Sequence, residues 1–451
     1  MVVRAVAGRA ALTGHSSAGG AHDIATGSLI YHLVAAALWV GGLVALLAHL
    51  ARRGEHGGTA ARRFSRLALV CWVVMAVSGV VNALVRVVPD QFMSTYGLLL
   101  LGKVAALVLL GAFGWWHRRG AVTAVSERGD RAALLRLGGV EVLVMFATVG
   151  LAAALGRTAP PERNPVPLSR TEVLLGYDLP GPPTMARLML DWRPDLVFGV
   201  GAVILAVLYL AGVRRLRGGS WPLRRTAAWL GGCATILIAT SSGVGRYSMA
   251  MFSVHLAGHL LLSMPAPLLL VLGGPMTLAL RALPAQAVGD PPGVREWLQA
   301  FTRSWVVRMS THPLMALGMV VASFSVIYFT GLYDLVAPAH WAHLVMNAHV
   351  LLMGVAFYWL IVGVDPVPHR LSHPAKIGLL VAAIAFLALL GTALADSATV
   401  VGGAFYRSLA LPFVPDLLAD QRLAAALAWS AGVVPLVVAL MVLLVPWSRS
   451  R

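Results

Sequence analysis

Two histidines lie four residues apart in an apolar segment, MFSVHLAGHLLLSMPAPLLLVLGGP, which covers residues 251–275. In a helix, residues i and i+4 lie on nearly the same face, so His255 and His259 can present two imidazole rings to one metal ion. Ionisable side chains are costly in an apolar segment and usually mark a functional site. The pair therefore predicts a metal site on an apolar helix.

A second apolar segment, APAHWAHLVMNAHVLLMGVAFYWLIVGVDPVP, covers residues 337–368 and carries three more histidines. His343 and His349 are candidate ligands within the predicted helix, and His340 is a secondary candidate at its edge. At 100° per residue, His349 is displaced by roughly 120° from His343, so their rings need not face the same side. Histidines on two predicted helices at similar depth favour a shared site.

Methionines accompany these histidines. Met251 and Met346 are candidate thioether ligands, and Met249 is a secondary one. Imidazole together with thioether favours copper, especially the cuprous ion, whereas zinc seldom takes methionine. The predicted cofactor is therefore copper.

The elements that position these residues follow from composition. The chain has 451 residues, of which 59% are hydrophobic and 12% charged, with a mean hydropathy of +0.80. These values predict an all-α polytopic protein surrounded by a lipid bilayer. The formal net charge of +17 does not indicate a nucleic-acid partner, because the basic residues concentrate in alternate loops. Cys71 and Cys233 both lie in apolar runs and form no CxxC motif.

Apolar runs of roughly 20 residues, the length that crosses a bilayer, predict about eleven transmembrane helices. They are residues 28–50, 67–88, 97–117, 138–156, 195–213, 226–244, 251–273, 312–332, 341–363, 376–395 and 423–445. With the N-terminus outside, inner loops hold 23 Lys and Arg residues and outer loops hold 11. This asymmetry predicts an outer N-terminus and an inner C-terminus. It also places the histidines in the outer halves of their helices.

Residues 157–194 form a proline-rich outer segment that predicts a poorly helical linker. The predicted organisation is therefore an outer polar tail, a four-helix membrane domain, the linker and a seven-helix membrane domain. Their bounds are 1–27, 28–156, 157–194 and 195–451.

The N-terminal helices carry polar residues of their own. His32 lies on the first predicted span, Lys103 on the third and Glu141 on the fourth. An intramembrane lysine indicates pairing or an ion path, although it can also extend to the headgroups. These three residues are candidates for a copper or ion path.

Several separated motifs in the C-terminal part resemble the CtaG family of cytochrome c oxidase assembly factors. They include YSMAMFSVHLAGHLLLSMPAPLLLVLGGPMTLALRALP, HLVMNAHVLLMGVAFYWLIVGVDPVP and SATVVGGAFYRSL. The resemblance covers roughly residues 195–445 and implies a membrane protein that helps to assemble the oxidase by supplying copper to one of its subunits. It also implies that His255, His259, His343 and His349 are the functional histidines. Leu387 departs from the pattern, because relatives commonly carry a histidine in the equivalent stretch AAIAFLALLGTALADS.

The motifs YHLVAAALWVGG and YGLLLLGK, with a glutamate early in the fourth helix, resemble the copper-resistance protein D (CopD) family over about residues 28–156. This resemblance implies copper handling in the membrane by His32, Lys103 and Glu141. A fusion of both families is similar to actinobacterial proteins that have further helices upstream, so we expect a shortened N-terminus. The implied location is the bacterial plasma membrane.

Three other interpretations stay open at this point. The histidines could relay protons in a copper or ion transporter, or two of them could bind haem iron axially. The chain could also be an assembly scaffold that binds no metal, an interpretation that Leu387 favours. An enzyme is not expected, because the sequence has no phosphate-binding glycine loop, HExxH motif or nucleophile elbow.

Overall fold

The computed structural model describes residues 21–87, 89–121, 125, 130–161, 168–216, 221–430 and 432–449. Regular structure in these residues is entirely helical, which confirms the predicted all-α class. The chain divides into two compact units, Met1–Asp178 and Leu179–Arg451, called here the N-terminal and C-terminal units. Residues 1–20 of the predicted polar tail and 162–167 of the predicted linker lie outside the described residues.

The described part of the N-terminal unit contains four long helices and one short one. They are α1 (His22–Ala51), α2 (Gly57–Arg86), α3 (Thr95–Trp116), α4 (Ala132–Arg157) and α5 (Arg170–Leu175). A single π-helical turn, His117–Ala121, continues α3. Trp39, Leu43, Cys71, Leu110 and Met145 form a buried core between the long helices. This packing takes their apolar side chains out of contact with the surroundings. It also holds the long helices, and the polar residues that they carry, in fixed positions.

The C-terminal unit contains sixteen further helices among the described residues. They are α6 (Met185–Leu190), α7 (Phe198–Arg215), α8 (Leu223–Ser241), α9 (Gly243–Ser248), α10 (Phe252–Ser263), α11 (Pro265–Leu272), α12 (Pro275–Ala282), α13 (Val294–Thr302), α14 (Trp305–Ser310), α15 (Pro313–Phe329), α16 (Leu332–Val336), α17 (His340–Val362), α18 (His373–Asp396), α19 (Gly403–Leu409), α20 (Leu417–Ser430) and α21 (Val433–Arg449). α10 packs against α8, α11, α17 and α20, so it lies inside this unit.

Nine helices among the described residues are long and apolar enough to cross a membrane, so the chain is a multi-pass membrane protein. They are His22–Ala51, Gly57–Arg86, Thr95–Gly120, Ala132–Arg157, Phe198–Arg215, Phe252–Ala282, His340–Val362, His373–Asp396 and Leu417–Met441. The two other predicted spans correspond to α8, which contains two arginines and several small polar residues, and to α15, which has only 17 residues. The count of eleven and the orientation remain predictions.

Two local features differ from the expected pattern. The segment predicted as one span over residues 251–273 is divided between α10 and α11, because Pro265 has no backbone N–H and starts a new helix. The proline-rich segment 157–194 also contains two helical turns, α5 and α6. The Ser169 side chain accepts from the Glu172 backbone N–H in a capping box, and the Thr184 side chain caps α6. These caps compensate for the short length of both helices.

Candidate metal centre

The three histidines at the centre of the C-terminal unit come from two helices. His255 and His259 lie one turn apart on α10, and their ring centroids are 4.1 Å apart. His343 approaches from α17, with its ring centroid 5.3 Å from that of His255. Each of the three side chains is buried, with at most 6% of its surface exposed. We call His255, His259 and His343 the three-histidine cluster.

Hydrogen bonds fix two of these rings. The Nδ1 atom of His259 lies 2.8 Å from the hydroxyl oxygen of Tyr328 on α15. The Nε2 atom of His343 lies 2.9 Å from the carbonyl oxygen of Ala337. Because a carbonyl only accepts, His343 donates from Nε2–H, and Nδ1 of the neutral ring keeps its lone pair. The two bonds therefore orient each ring through one nitrogen and leave the other nitrogen for a ligand.

The Nε2 nitrogens of the two α10 histidines are held only weakly by the protein. Both are buried and make no well-aligned hydrogen bond among the described residues, although the Asn347 side chain lies within bonding range of the His259 ring. Leaving a buried polar atom without a partner costs about 1–3 kcal/mol, so such atoms are uncommon in stable proteins. Two such atoms on adjacent rings are available to a ligand.

Aromatic side chains surround the cluster. The ring centroid of Tyr333 lies 4.9 Å from that of His255, and the Tyr333 hydroxyl lies 2.6 Å from the Tyr406 hydroxyl. Burial raises the pKa of both tyrosines, so their phenols keep their protons at neutral pH. Phe252 contacts the same group of rings edge-on. The histidines thus lie in an aromatic environment that excludes bulk water.

A carboxylate on a distant helix fixes the start of α10. Asp420 on α20 accepts from the backbone N–H of Ser253 at 3.2 Å and also from the Ser253 hydroxyl. Both groups belong to the first turn of α10, where backbone N–H groups lack helical partners and favour a negative charge. Asp420 is itself buried. It therefore anchors the turn immediately before His255.

The donor set fits a cuprous ion by type and by burial, since it offers the buried Nε2 atoms of His255 and His259 and the Nδ1 atom of His343. The described His, Cys, Asp and Glu side chains nevertheless include no group of three positioned to hold a metal ion. The three rings thus converge without forming a closed coordination shell. Three methionines that are close in sequence to these histidines are buried, namely Met249, Met251 and Met346. Met346 follows His343 by one turn of α17.

Two other predicted histidines lie apart from the cluster. His349 is exposed, and its Nε2 atom lies 2.6 Å from the Ser323 hydroxyl on α15. Ser323 also donates to the Met319 carbonyl, so it accepts from His349 Nε2–H. His340, at the start of α17, is partly exposed. The structure therefore brings His255, His259 and His343 together and directs His349 to a different neighbour.

Leu387 lies fully buried on α18. The side chains of Leu387 and Leu260 both lie beside Gly432, so close that a Cβ atom added to this glycine would contact each of them. This leucine fills space close to the turn of α10 that follows His259, and it provides no donor atom. The site therefore relies on the histidines of α10 and α17.

The three polar candidates of the N-terminal unit fall into two groups. The Nδ1 atom of His32 lies 2.9 Å from the Ser78 hydroxyl, which itself donates to the Val74 carbonyl at 2.6 Å. His32 therefore donates from Nδ1–H, and its Nε2 carries the lone pair. Lys103 lies within electrostatic range of this histidine.

Glu141 lies in the second group and is buried beside His117. The Glu141 Oε2 atom lies 3.1 Å from the His117 Nδ1 atom, and Trp39 is adjacent.

Sequence reasoning missed His117, Tyr328, Tyr333 and Asp420. A histidine at the end of an apolar run, GWWHRR, was the available signal for His117. Tyr328 and Asp420 are 69 and 167 residues from their partners, and no local pattern connects them.

Comparisons with known proteins match both halves of the chain. Residues 207–450 match the family model described as cytochrome c oxidase caa3 assembly factor, and residues 58–155 match that of copper resistance protein D. Uncharacterised proteins of Mycobacterium bovis and Mycobacterium tuberculosis are each 39% identical over 444 residues, which is 97% of this chain. An uncharacterised Mycobacterium leprae protein is 45% identical over 280 residues, covering 62% of this chain and 42% of its own length. The chain spans 65% of the length of the first two relatives. No solved structure matches it.

Proposed function

Because the chain belongs to the family of cytochrome c oxidase caa3 assembly factors, with a CopD segment fused to it, we propose that it delivers copper to a subunit of that oxidase. In this proposal the protein lies in the bacterial plasma membrane. Copper is its cargo, and the protein itself performs no catalysis. Its partners are the copper ion and the oxidase subunit.

The observation that carries the proposal is the three-histidine cluster. Imidazole nitrogens are good ligands for copper, and two buried Nε2 atoms on adjacent turns of α10 make no well-aligned hydrogen bond to the described residues. The partners of the other ring nitrogens, Tyr328 and Ala337, resemble the outer shell that orients histidine ligands at metal sites. Met251 and Met346 remain proposed thioether ligands, and His349 a proposed contact outside the cluster.

The same geometry explains why copper could be released again. A carrier must hold its ion firmly enough to protect it and loosely enough to pass it on. The cluster lacks a closed shell, and Leu387 supplies no further ligand on α18. In the proposed outward orientation, the Asp420-anchored start of α10 is the end of the helix nearest the receiving subunit.

Metal content of the purified protein tests this proposal. The protein is loaded with cuprous ion under reducing conditions, desalted and measured beside a His255→Ala/His259→Ala variant. A matched control is the His312→Ala/His369→Ala variant, because that pair also brings two rings within 5.6 Å in the same unit. We expect about one copper per chain in the parent and the control, and loss of that copper in the first variant.

Two results would overturn copper delivery. Absence of copper from a folded parent would favour the scaffold interpretation, whereas an absorbing haem in the parent would favour a haem protein. Unchanged copper in the His255→Ala/His259→Ala variant would place the ion elsewhere in the chain.

A second candidate function, passage of copper or another ion through the membrane, is favoured by the polar groups inside the N-terminal unit. His32, Lys103 and Glu141 all lie on helices long enough to cross a membrane. Uptake of copper into vesicles that contain the protein tests this candidate. Loss of uptake in a His32→Ala variant that keeps its three-histidine copper would support it, whereas absence of uptake by the parent would exclude it.

A further inference from the structure

The long helices of the N-terminal unit enclose a cavity of about 470 Å³. All four of these helices contribute to its wall, which is predominantly apolar. Three indole side chains, those of Trp39, Trp72 and Trp115, line it together with His117 and Glu141. A volume of several hundred Å³ with an apolar wall and a few polar groups is typical of sites for small organic molecules.

Ser65 and Arg118 hydrogen-bond to each other at the exposed rim of this cavity. Trp39 Nε1, His117 Nε2 and Glu141 Oε2 are inaccessible and make no well-aligned hydrogen bond among the described residues. His117 Nδ1 lies 3.1 Å from Glu141 Oε2, and the Trp39 indole lies within hydrogen-bonding range of the Glu141 carboxyl. The cavity therefore presents an indole N–H donor beside a histidine–carboxylate pair.

The cavity opens toward an apolar surface. Leu69, Val108 and Trp115 belong to its wall, and each has 44% or more of its surface exposed. These residues lie on α2 and α3, two of the helices long enough to cross a membrane. A molecule that enters between them would come from the lipid phase. The occupant must therefore combine an apolar body with a small polar part.

We propose that this cavity binds the head group of a lipid-soluble quinol or quinone. A planar ring can pack against the indoles, which favour aromatic partners. A ring oxygen can accept from Trp39 Nε1–H, and a second oxygen can bond to the His117–Glu141 pair. The proposal does not depend on copper, because it uses none of the residues of the three-histidine cluster.

The His117–Glu141 pair suits both forms of such a molecule. With Glu141 ionised, His117 donates from Nδ1–H and its Nε2 accepts from a quinol hydroxyl. With the proton on Glu141, the carboxyl donates to Nδ1, and Nε2–H donates to a quinone carbonyl. The second arrangement holds one proton more than the first: when Nε2 takes the proton of the quinol hydroxyl, the Nδ1 proton passes to Glu141, and the site changes from acceptor to donor. An acyl chain, the other apolar occupant of such a cavity, would use none of these groups.

Calorimetric titration of menadione and of its reduced form tests the proposal, with protein-free micelles as the blank. We expect saturable binding to the parent with a stoichiometry near one. Glu141→Gln replaces the carboxyl group by an amide of the same size, Trp39→Phe removes the indole N–H, and each should weaken binding by about tenfold. The His255→Ala/His259→Ala variant should bind both forms as the parent does.

A pair of glycine substitutions keeps the test independent of the polar groups. Gly114 lines the cavity, and Gly139 on α4 does not; a Cβ atom added at either position meets no atom within 4 Å. Gly114→Leu should abolish saturable binding by filling the cavity, and Gly139→Leu should leave it unchanged. The proposal is overturned if the folded parent shows no saturable binding, or if Glu141→Gln and Trp39→Phe both bind menadione with parental affinity, as an acyl-chain cavity would.

Discussion

The hydroxyl of Tyr328 lies 2.8 Å from Nδ1 of His259, although the two residues are 69 positions apart and belong to α15 and α10. If His259 donates from Nδ1–H, its Nε2 presents a lone pair toward the cluster. Tyr328 is fully enclosed by the aromatic rings around the histidines and packs edge-on against Phe252. The tyrosine is therefore placed to hold one ring in the orientation that the proposed copper site requires.

Tyr328→Phe should weaken cuprous-ion affinity by about tenfold, because loss of an outer-shell hydrogen bond typically costs 10–100-fold at metal sites. Affinity is measured by competition with a coloured cuprous chelator. Tyr358→Phe is the matched control, since Tyr358 is also buried and its hydroxyl donates to the Met264 sulfur and not to a histidine. Equal affinities for the two variants would contradict a positioning role for Tyr328.

His343 and His349 should differ in their effect on copper. His343 lies in the three-histidine cluster, whereas His349 donates to Ser323 on the other side of α17. We expect His343→Ala to lose most of the bound copper and His349→Ala to retain it. Metal analysis after desalting checks both variants at the same protein concentration. Retention of copper by His343→Ala together with its loss from His349→Ala would show that the ion binds on the Ser323 side.

The i, i+4 spacing of His255 and His259 was sufficient to predict that they share a face, because this relation depends only on helical geometry. The same geometry indicated that His343 and His349 point in different directions. It could not show which of the two faces α10, since that depends on the packing of α17 against α10. The long apolar helices were similarly predictable, since span length follows from composition.

Other features depend on contacts that a single sequence does not encode locally. Asp420 reaches the first turn of α10 from 167 residues away, and His117 meets Glu141 only because α3 and α4 pack together. Burial of these groups is a property of the packed unit and not of the neighbouring residues. The break between α10 and α11 was readable in principle from Pro265, but prolines also occur within membrane helices.

Asp420→Ala should lower both stability and copper affinity. The carboxylate caps the first turn of α10, and loss of a helix cap costs about 0.5–2 kcal/mol. Asp365→Ala provides a matched control, because Asp365 caps α12 through the backbone N–H groups of Met276 and Thr277. Both variants should lower the midpoint of thermal unfolding, measured by fluorescence-detected size exclusion. Only Asp420→Ala should weaken copper binding. If both variants lost equal amounts of copper, the Asp420 carboxylate would have only a general stabilising role.

Gly354→Ala should separate the helices that carry the histidines. Gly354 lies on α17, where an added Cβ would approach the Ser263 carbonyl and lie 2.5 Å from the Pro267 ring. Those two residues flank the junction between α10 and α11, so the clash pushes α17 away from the helix that carries His255 and His259. Overpacking of this kind typically costs about 1–3 kcal/mol. We expect a lower thermal midpoint and weaker cuprous-ion binding than in Gly378→Ala, whose added Cβ meets no atom within 4 Å. Parental copper affinity in a destabilised Gly354→Ala variant would mean that binding does not require close packing of α17 on α10, and that His343 is not a ligand shared with the α10 pair.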